Sequence, residues 1–102
     1  MQAYDAQTLV LCALAEGPLH GYAVNAAIER LIGKKLGPGS LYGALTRLEA
    51  KQLIEPADDT ESQPRQRPVR LTPQGRRLLE EELRSMAKVA AAGLAGLRVN
   101  PA

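Results

Sequence analysis

Proline punctuates most of this 102-residue chain and then disappears. It stands at positions 18, 38, 56, 64, 68 and 73, and not again until 101. Proline lacks a backbone N–H and its ring clashes with the preceding helical turn, so helices tolerate it only at their first position. The chain before Pro73 must therefore be broken into short elements. The stretch after Pro73 is free to form one long helix.

The first segment, Ala6 to Ala15, is apolar on nearly every side, with Asp5 placed to cap it and Gly17-Pro18 to stop it. A helix of that kind packs on two sides at once. Its one cysteine, Cys12, has apolar neighbours and reads as a small buried residue. The second segment opens at His20-Gly21-Tyr22. Val24, Ile28 and Leu31 fall at i, i+4 and i+7, one helix face, and Gly33 supplies the terminating glycine. Asn25, Glu29 and Arg30 fall on the wet side, and His20 is placed to cap the helix or order the turn before it.

The third segment begins Gly37-Pro38-Gly39-Ser40, with the proline at the favoured first position. Leu41, Leu45 and Leu48 mark its core face. At about 100° per residue, Gly39, Gly43, Thr46 and Ala50 lie opposite, with Ser40, Arg47 and Lys51 along one edge and Tyr42 along the other. Leu53-Ile54 then begins a short strand closed by Pro56. Residues 58 to 68 read as a polar loop, and Val69-Arg70-Leu71 alternates as a return strand. Thr72-Pro73 caps and starts the last helix. Along it Leu79, Leu83, Met86, Ala90, Gly93 and Leu97 are spaced 4, 3, 4, 3, 4, a heptad seam.

The order is three helices, a two-stranded hairpin and a long helix. This is a mainly α fold with a small β-hairpin (α+β), the winged helix-turn-helix plan with a long C-terminal dimerisation helix. Residues 1–72 are expected to form the DNA-binding unit and 73–98 the dimerisation helix, within one compact domain overall.

Charge is a weak guide by its sum and a better one by its placement. The net charge is only +2. Yet residues 34 to 51 carry Lys34, Lys35, Arg47 and Lys51 against the single acid Glu49. One cysteine excludes an internal disulfide and fits the reducing cytoplasm. No apolar run approaches the ~20 residues of a membrane span, and no signal peptide is expected. With one histidine, one cysteine and no nucleophile elbow or phosphate loop, neither a metal site, a cofactor nor an enzyme is expected.

A helix that reads double-stranded DNA needs small or polar residues facing outward. Gly39, Gly43 and Ala50 would let the third helix approach the groove floor, and Ser40, Thr46 and Arg47 would reach phosphates or base edges. Lys34 and Lys35 are placed to touch the backbone or simply to be solvated. Tyr42 suits either a phosphate contact or a prop between helices, and Tyr22 either the core or the DNA face. Arg65, Arg67 and Arg70 suit a wing that reaches DNA, while Asp58, Asp59 and Glu61 should point away. A protein-interaction module on the same scaffold, without DNA binding, is the alternative reading. For the terminal seam, Leu79, Leu83, Met86, Ala90, Leu94 and Leu97 call for a partner, most economically a second copy.

Together, the runs Leu9-Val10-Leu11, Leu14, Gly17-Pro18-Leu19-His20-Gly21-Tyr22, Gly37-Pro38-Gly39-Ser40-Leu41-Tyr42-Gly43-Ala44-Leu45, Arg47-Leu48-Glu49, Leu53-Ile54 and Arg70-Leu71-Thr72-Pro73-Gln74-Gly75 resemble the PadR family of bacterial transcriptional regulators. The short C-terminal part resembles the subfamily with a single dimerisation helix. The resemblance implies a homodimeric repressor on an inverted repeat, released by a small hydrophobic molecule between subunits. By position it places Tyr22, Ser40, Tyr42, Thr46 and Arg47 in DNA-facing helices and Arg65 and Arg67 in the wing. Three departures stand out: Gln52 where the family usually has glycine, Pro68 in the return strand, and no tryptophan in the last helix. The second should shorten or loosen the wing, and the third argues against a roomy aromatic pore.

Overall fold

Helix α1 (Ala6–Ala13) is the hub of the chain. Asp5 caps it as expected, its Oδ1 accepting from the Thr8 N–H at 2.7 Å, an interaction typically worth ~1 kcal/mol. Leu9, Val10, Leu11, Ala13 and Leu14 are all buried. Burial over much of its circumference is possible because α2 (Gly21–Ile32), α3 (Pro38–Ala50) and the start of α4 (Pro73–Val99) all pack on it. The computed structural model describes residues 4–57 and 67–99.

Helix α2 presents Val24, Ala27 and Ile28 to the core and ends at Gly33, whose φ of 83° is the left-handed conformation that closes a helix. His20 occupies the N-cap position but its side chain makes no capping bond. Leu31, expected in the core, is 56% exposed. It lies on the expected face but in the last turn, over a groove between α1 and α2 shared with Cys12 and Leu19. Cys12 is itself only half-buried.

Helix α3 buries Leu41, Ala44 and Leu48, with Leu45 half-buried. It ends at Lys51, and Gln52 then adopts a φ of 62°. That left-handed turn is the place where the resemblance led one to expect glycine, and a glutamine there carries the steric cost of its Cβ.

The wing is an antiparallel pair, β1 (Ile54–Pro56) and β2 (Val69–Leu71), in register Ile54↔Leu71, Glu55↔Arg70, Pro56↔Val69. Val69 and Leu71 point inward and Arg70 outward. Leu19 adds a further rung that periodicity did not reveal, exchanging two backbone bonds with Val69 at 3.1 and 2.9 Å. The strands are short, in keeping with the prolines. Pro68 accepts from the Ala57 N–H through its carbonyl but has no N–H to return.

Helix α4 begins on the predicted cap, with the Gly75 N–H donating to Thr72 Oγ1 at 3.0 Å. Within the chain it buries only Gly75 and Leu79. Beyond Leu79 it leaves the body, and Leu83, Val89, Leu94, Leu97 and Val99 are 40–86% exposed. No helix among the described residues is long and apolar enough to cross a membrane.

Candidate nucleic-acid interface

The turn between α2 and α3 is held from outside. Asn25 Nδ2 donates to the Leu36 carbonyl and Asn25 Oδ1 accepts from the Leu36 N–H, both at 2.8 Å. Periodicity puts Asn25 on the wet face; in the structure it is half-buried and clamps the residue just before the α3 N-cap, Gly37. A signal was present in the sequence. Asparagine is a poor interior helix residue because its amide prefers backbone partners, so an Asn inside α2 needed a reason.

With the turn fixed, α3 projects its outer strip. Gly39, Ser40, Thr46, Arg47 and Ala50 are exposed. A shallow groove lined by Gly39, Tyr42, Gly43, Thr46 and Arg47 runs along this face. Arg47 lies back over Gly43, whose missing Cβ would stand 3.2 Å from its Nη1. The guanidinium is thus carried on the outer surface of the strip. Thr46 Oγ1 donates to the Tyr42 carbonyl at 2.8 Å, leaving its lone pairs as acceptors. Lys34 and Lys35 are exposed in the clamped turn.

Tyr42 is half-buried, its ring packed against Gly21 so closely that a Cβ there would meet Cε1 at 3.3 Å. It props α3 against the start of α2, and that contact accounts for glycine at position 21. Tyr22 is 76% exposed, so the core alternative for it fails. Its ring stacks on His20, centroids 5.7 Å apart and nearly parallel. Lys51 is exposed but its ammonium bonds Gln7 Oε1 at 2.8 Å, next to the start of α1.

In the wing, Arg67 is half-buried in a pocket with Gly21, Tyr42, Thr46 and Glu49, which sets it against α3. Arg70 pairs with Glu55 across the hairpin at 3.0 Å. Arg65, with Asp58, Asp59 and Glu61, lies outside the described residues.

On α4, the seam from Leu83 through Met86, Ala90 and Leu94 to Leu97 is exposed or half-buried. Leu79, expected in the same seam, is 4% exposed and belongs to the chain's own core. The exposed part of the seam therefore begins at Leu83. Burial raises the Cys12 thiol pKa above its ordinary value.

Three short helices, a wing folded back beside the third, and a clamped turn exposing that third helix define a winged helix-turn-helix. Residues 10–81 match the transcriptional regulator PadR-like family, and the chain belongs to it. That family consists of transcriptional regulators, not enzymes. The chain is 66% identical over 89 residues to a 37.1 kDa protein in a Streptomyces fradiae transposon, spanning 87% of this chain but a quarter of that protein. Among solved structures, a PadR-like regulator from Bacillus cereus superposes with a TM-score of 0.74 at 22% identity, covering 89% of both chains. A PadR family regulator from Clostridium difficile is 30% identical over 87% of this chain and 97% of its own, with a TM-score of 0.63. Bacillus subtilis PadR, solved in complex with operator DNA, matches 76% of this chain and 45% of its own at 20% identity and a TM-score of 0.62.

Proposed function

We propose that this chain represses transcription as a homodimer, placing the α3 helices of two copies in successive major-groove turns of an inverted repeat. The observation that carries this reading is the outer face of α3: small residues at 39, 43 and 50, an exposed Ser40, and Arg47 held outward on Gly43. Arginine pairs with guanine O6 and N7, and exposed serine or threonine hydroxyls reach base edges or phosphates. Lys34 and Lys35 stand beside the helix N-terminus, where backbone N–H groups favour a phosphate. Tyr22 and the wing arginines Arg65 and Arg67 supply flanking contacts, and Lys51 does so at the far end of the helix. The family membership and a relative solved on operator DNA support the same reading.

Residues 1–72 form the reading unit and 73–98 the pairing helix, joined through Leu83, Met86, Ala90, Leu94 and Leu97. Half-sites then lie one helical turn apart, ~34 Å. A small hydrophobic effector would enter between subunits beside α4, where Ala15, Leu71, Leu79, Leu83 and Ala87, together with Arg76, Glu80 and Arg84, line a groove of about 450 Å³. A regulator of this kind works in the cytoplasm.

The test begins with selection of bound sites from a random duplex pool, followed by gel-shift titration. Affinity should fall steeply between low and moderate salt, because phosphate contacts release counterions. Arg47→Ala should weaken the selected site by ~1–3 kcal/mol, about 5- to 150-fold. If the chain enriches no duplex, or binds one with no salt dependence, the reading gives way to a protein-interaction module on the same scaffold.

A further inference from the structure

The end of α3 and the start of α4 are wired together by an unbroken run of main-chain bonds, and one side chain sits at its centre. The turn leaving α3 is tied to that helix twice: Gln52 N–H donates to the Glu49 carbonyl and Leu53 N–H to the Leu48 carbonyl, both at 3.0 Å. The same two residues then grip the start of α4. Thr72 N–H donates to the Leu53 carbonyl at 3.1 Å, and Thr72 Oγ1 donates to the Gln52 carbonyl at 2.7 Å. That oxygen also accepts from the Gly75 N–H at 3.0 Å. Thr72 is buried, and its hydroxyl has its one proton and an acceptor position in use.

The fit is tight on the backbone side as well. A Cβ at Gly75 would collide with the Leu53 carbonyl, so α4 rests directly on the turn. Beyond this joint α4 buries only Leu79. A helix of 27 residues, about 40 Å long at ~1.5 Å per residue, is therefore aimed by its first two turns. A small rotation at the joint becomes a displacement of several ångströms where two such helices would pair.

We infer that Thr72 is a positioning residue for DNA reading: by joining Gln52 to Gly75 it fixes the angle between α3 and α4, and so the separation of half-sites that a dimer accepts. This rests on the dimeric reading of the preceding section. Valine has nearly the shape of threonine but neither donates to Gln52 nor accepts from Gly75. Serine keeps both bonds. The proposed half-site contacts come from α3, with Lys34, Lys35, Tyr22 and the wing arginines, and neither change removes any of them.

The experiment compares the wild-type chain, Thr72→Val and Thr72→Ser in selection from a random duplex pool. It then measures affinity for the enriched sequence with one base pair added or removed between half-sites. One base pair shifts a half-site by about 3.4 Å and turns it by roughly 35°. The wild type and Thr72→Ser should lose at least about tenfold in affinity, the weight of one good base contact. Thr72→Val should keep the same half-site and dimerise normally, yet lose less than about threefold on the same change. Equal spacing discrimination in Thr72→Val and wild type overturns the inference while leaving DNA binding intact. Enrichment of no paired site by the wild type overturns both. If Thr72→Val does not fold, hydrogen exchange on the native chain decides: the Thr72 and Gly75 amides should be protected as well as those of α1. Exchange as fast as that of the last turn of α4 refutes a rigid joint.

Discussion

If α4 pairs with a second copy as proposed, truncating Leu97 to alanine measures that pairing directly. Complete burial of a leucine side chain is worth ~1.5–3 kcal/mol. Leu97 is 65% exposed in the single chain, so covering it in a dimer contributes ~1–2 kcal/mol per copy. A two-fold interface counts each position twice. Leu97→Ala should therefore weaken the dimer by ~2 kcal/mol or more, a rise in Kd of about thirtyfold at 1.4 kcal/mol per decade. Sedimentation equilibrium over a range of concentrations reads this constant. Val99 supplies the control. It is 86% exposed, but two residues along a helix turn it by about 200°, away from the seam. Val99→Ala should leave the constant within about threefold. A Leu97→Ala dimer as tight as wild type, or a Val99→Ala dimer equally weakened, would show that the copies meet elsewhere.

Asn25→Ala removes both clamping bonds and strands the Leu36 N–H and carbonyl. It should cost ~1–3 kcal/mol in urea unfolding, and at temperatures where the variant is still folded it should weaken DNA binding too. Gln52→Gly relieves a left-handed backbone at no loss of a side-chain bond, so it should raise stability by ~1 kcal/mol, visible as a higher Tm. Cys12 gives a pH signature. Its folded-state pKa is raised by burial, so the neutral thiol stabilises the fold below the ordinary thiol pKa of 9.0, and that contribution is lost as pH climbs through and past that value. The Tm of the wild type should drop more than that of Cys12→Ala between pH 8 and 10, and identical profiles would remove the thiol from the account.

What could be read from the chain was chiefly what is local. Asp5, Gly33, Pro38 and Thr72-Pro73 each act within three or four residues, and each marks a helix boundary where it stands in the structure. Val69-Arg70-Leu71 alternates because one face of the hairpin is buried. What escaped depends on distant segments. Leu31 has the right phase but no element over it, and Leu79 fits the seam yet is claimed by its own core. Nothing in the periodicity distinguishes them. The Leu19 rung, the Asn25 clamp and the Gln52–Thr72 bond join residues 11 to 50 positions apart. The outer strip of α3 was legible because exposure there follows directly from the burial of Leu41 and Leu48 opposite.

The Asn25 clamp leaves a particular freedom in its wake. The connection before α3 is anchored by a residue on the neighbouring helix and by Gly33, and Lys34 and Lys35 between these anchors are exposed. Exchanging these lysines for neutral or acidic residues removes neither of the Asn25 bonds that hold the turn before α3. On the proposed DNA-binding role, descendants of this chain would adjust how strongly they hold any duplex by drift at two surface sites, while the sequence they prefer stays where it was.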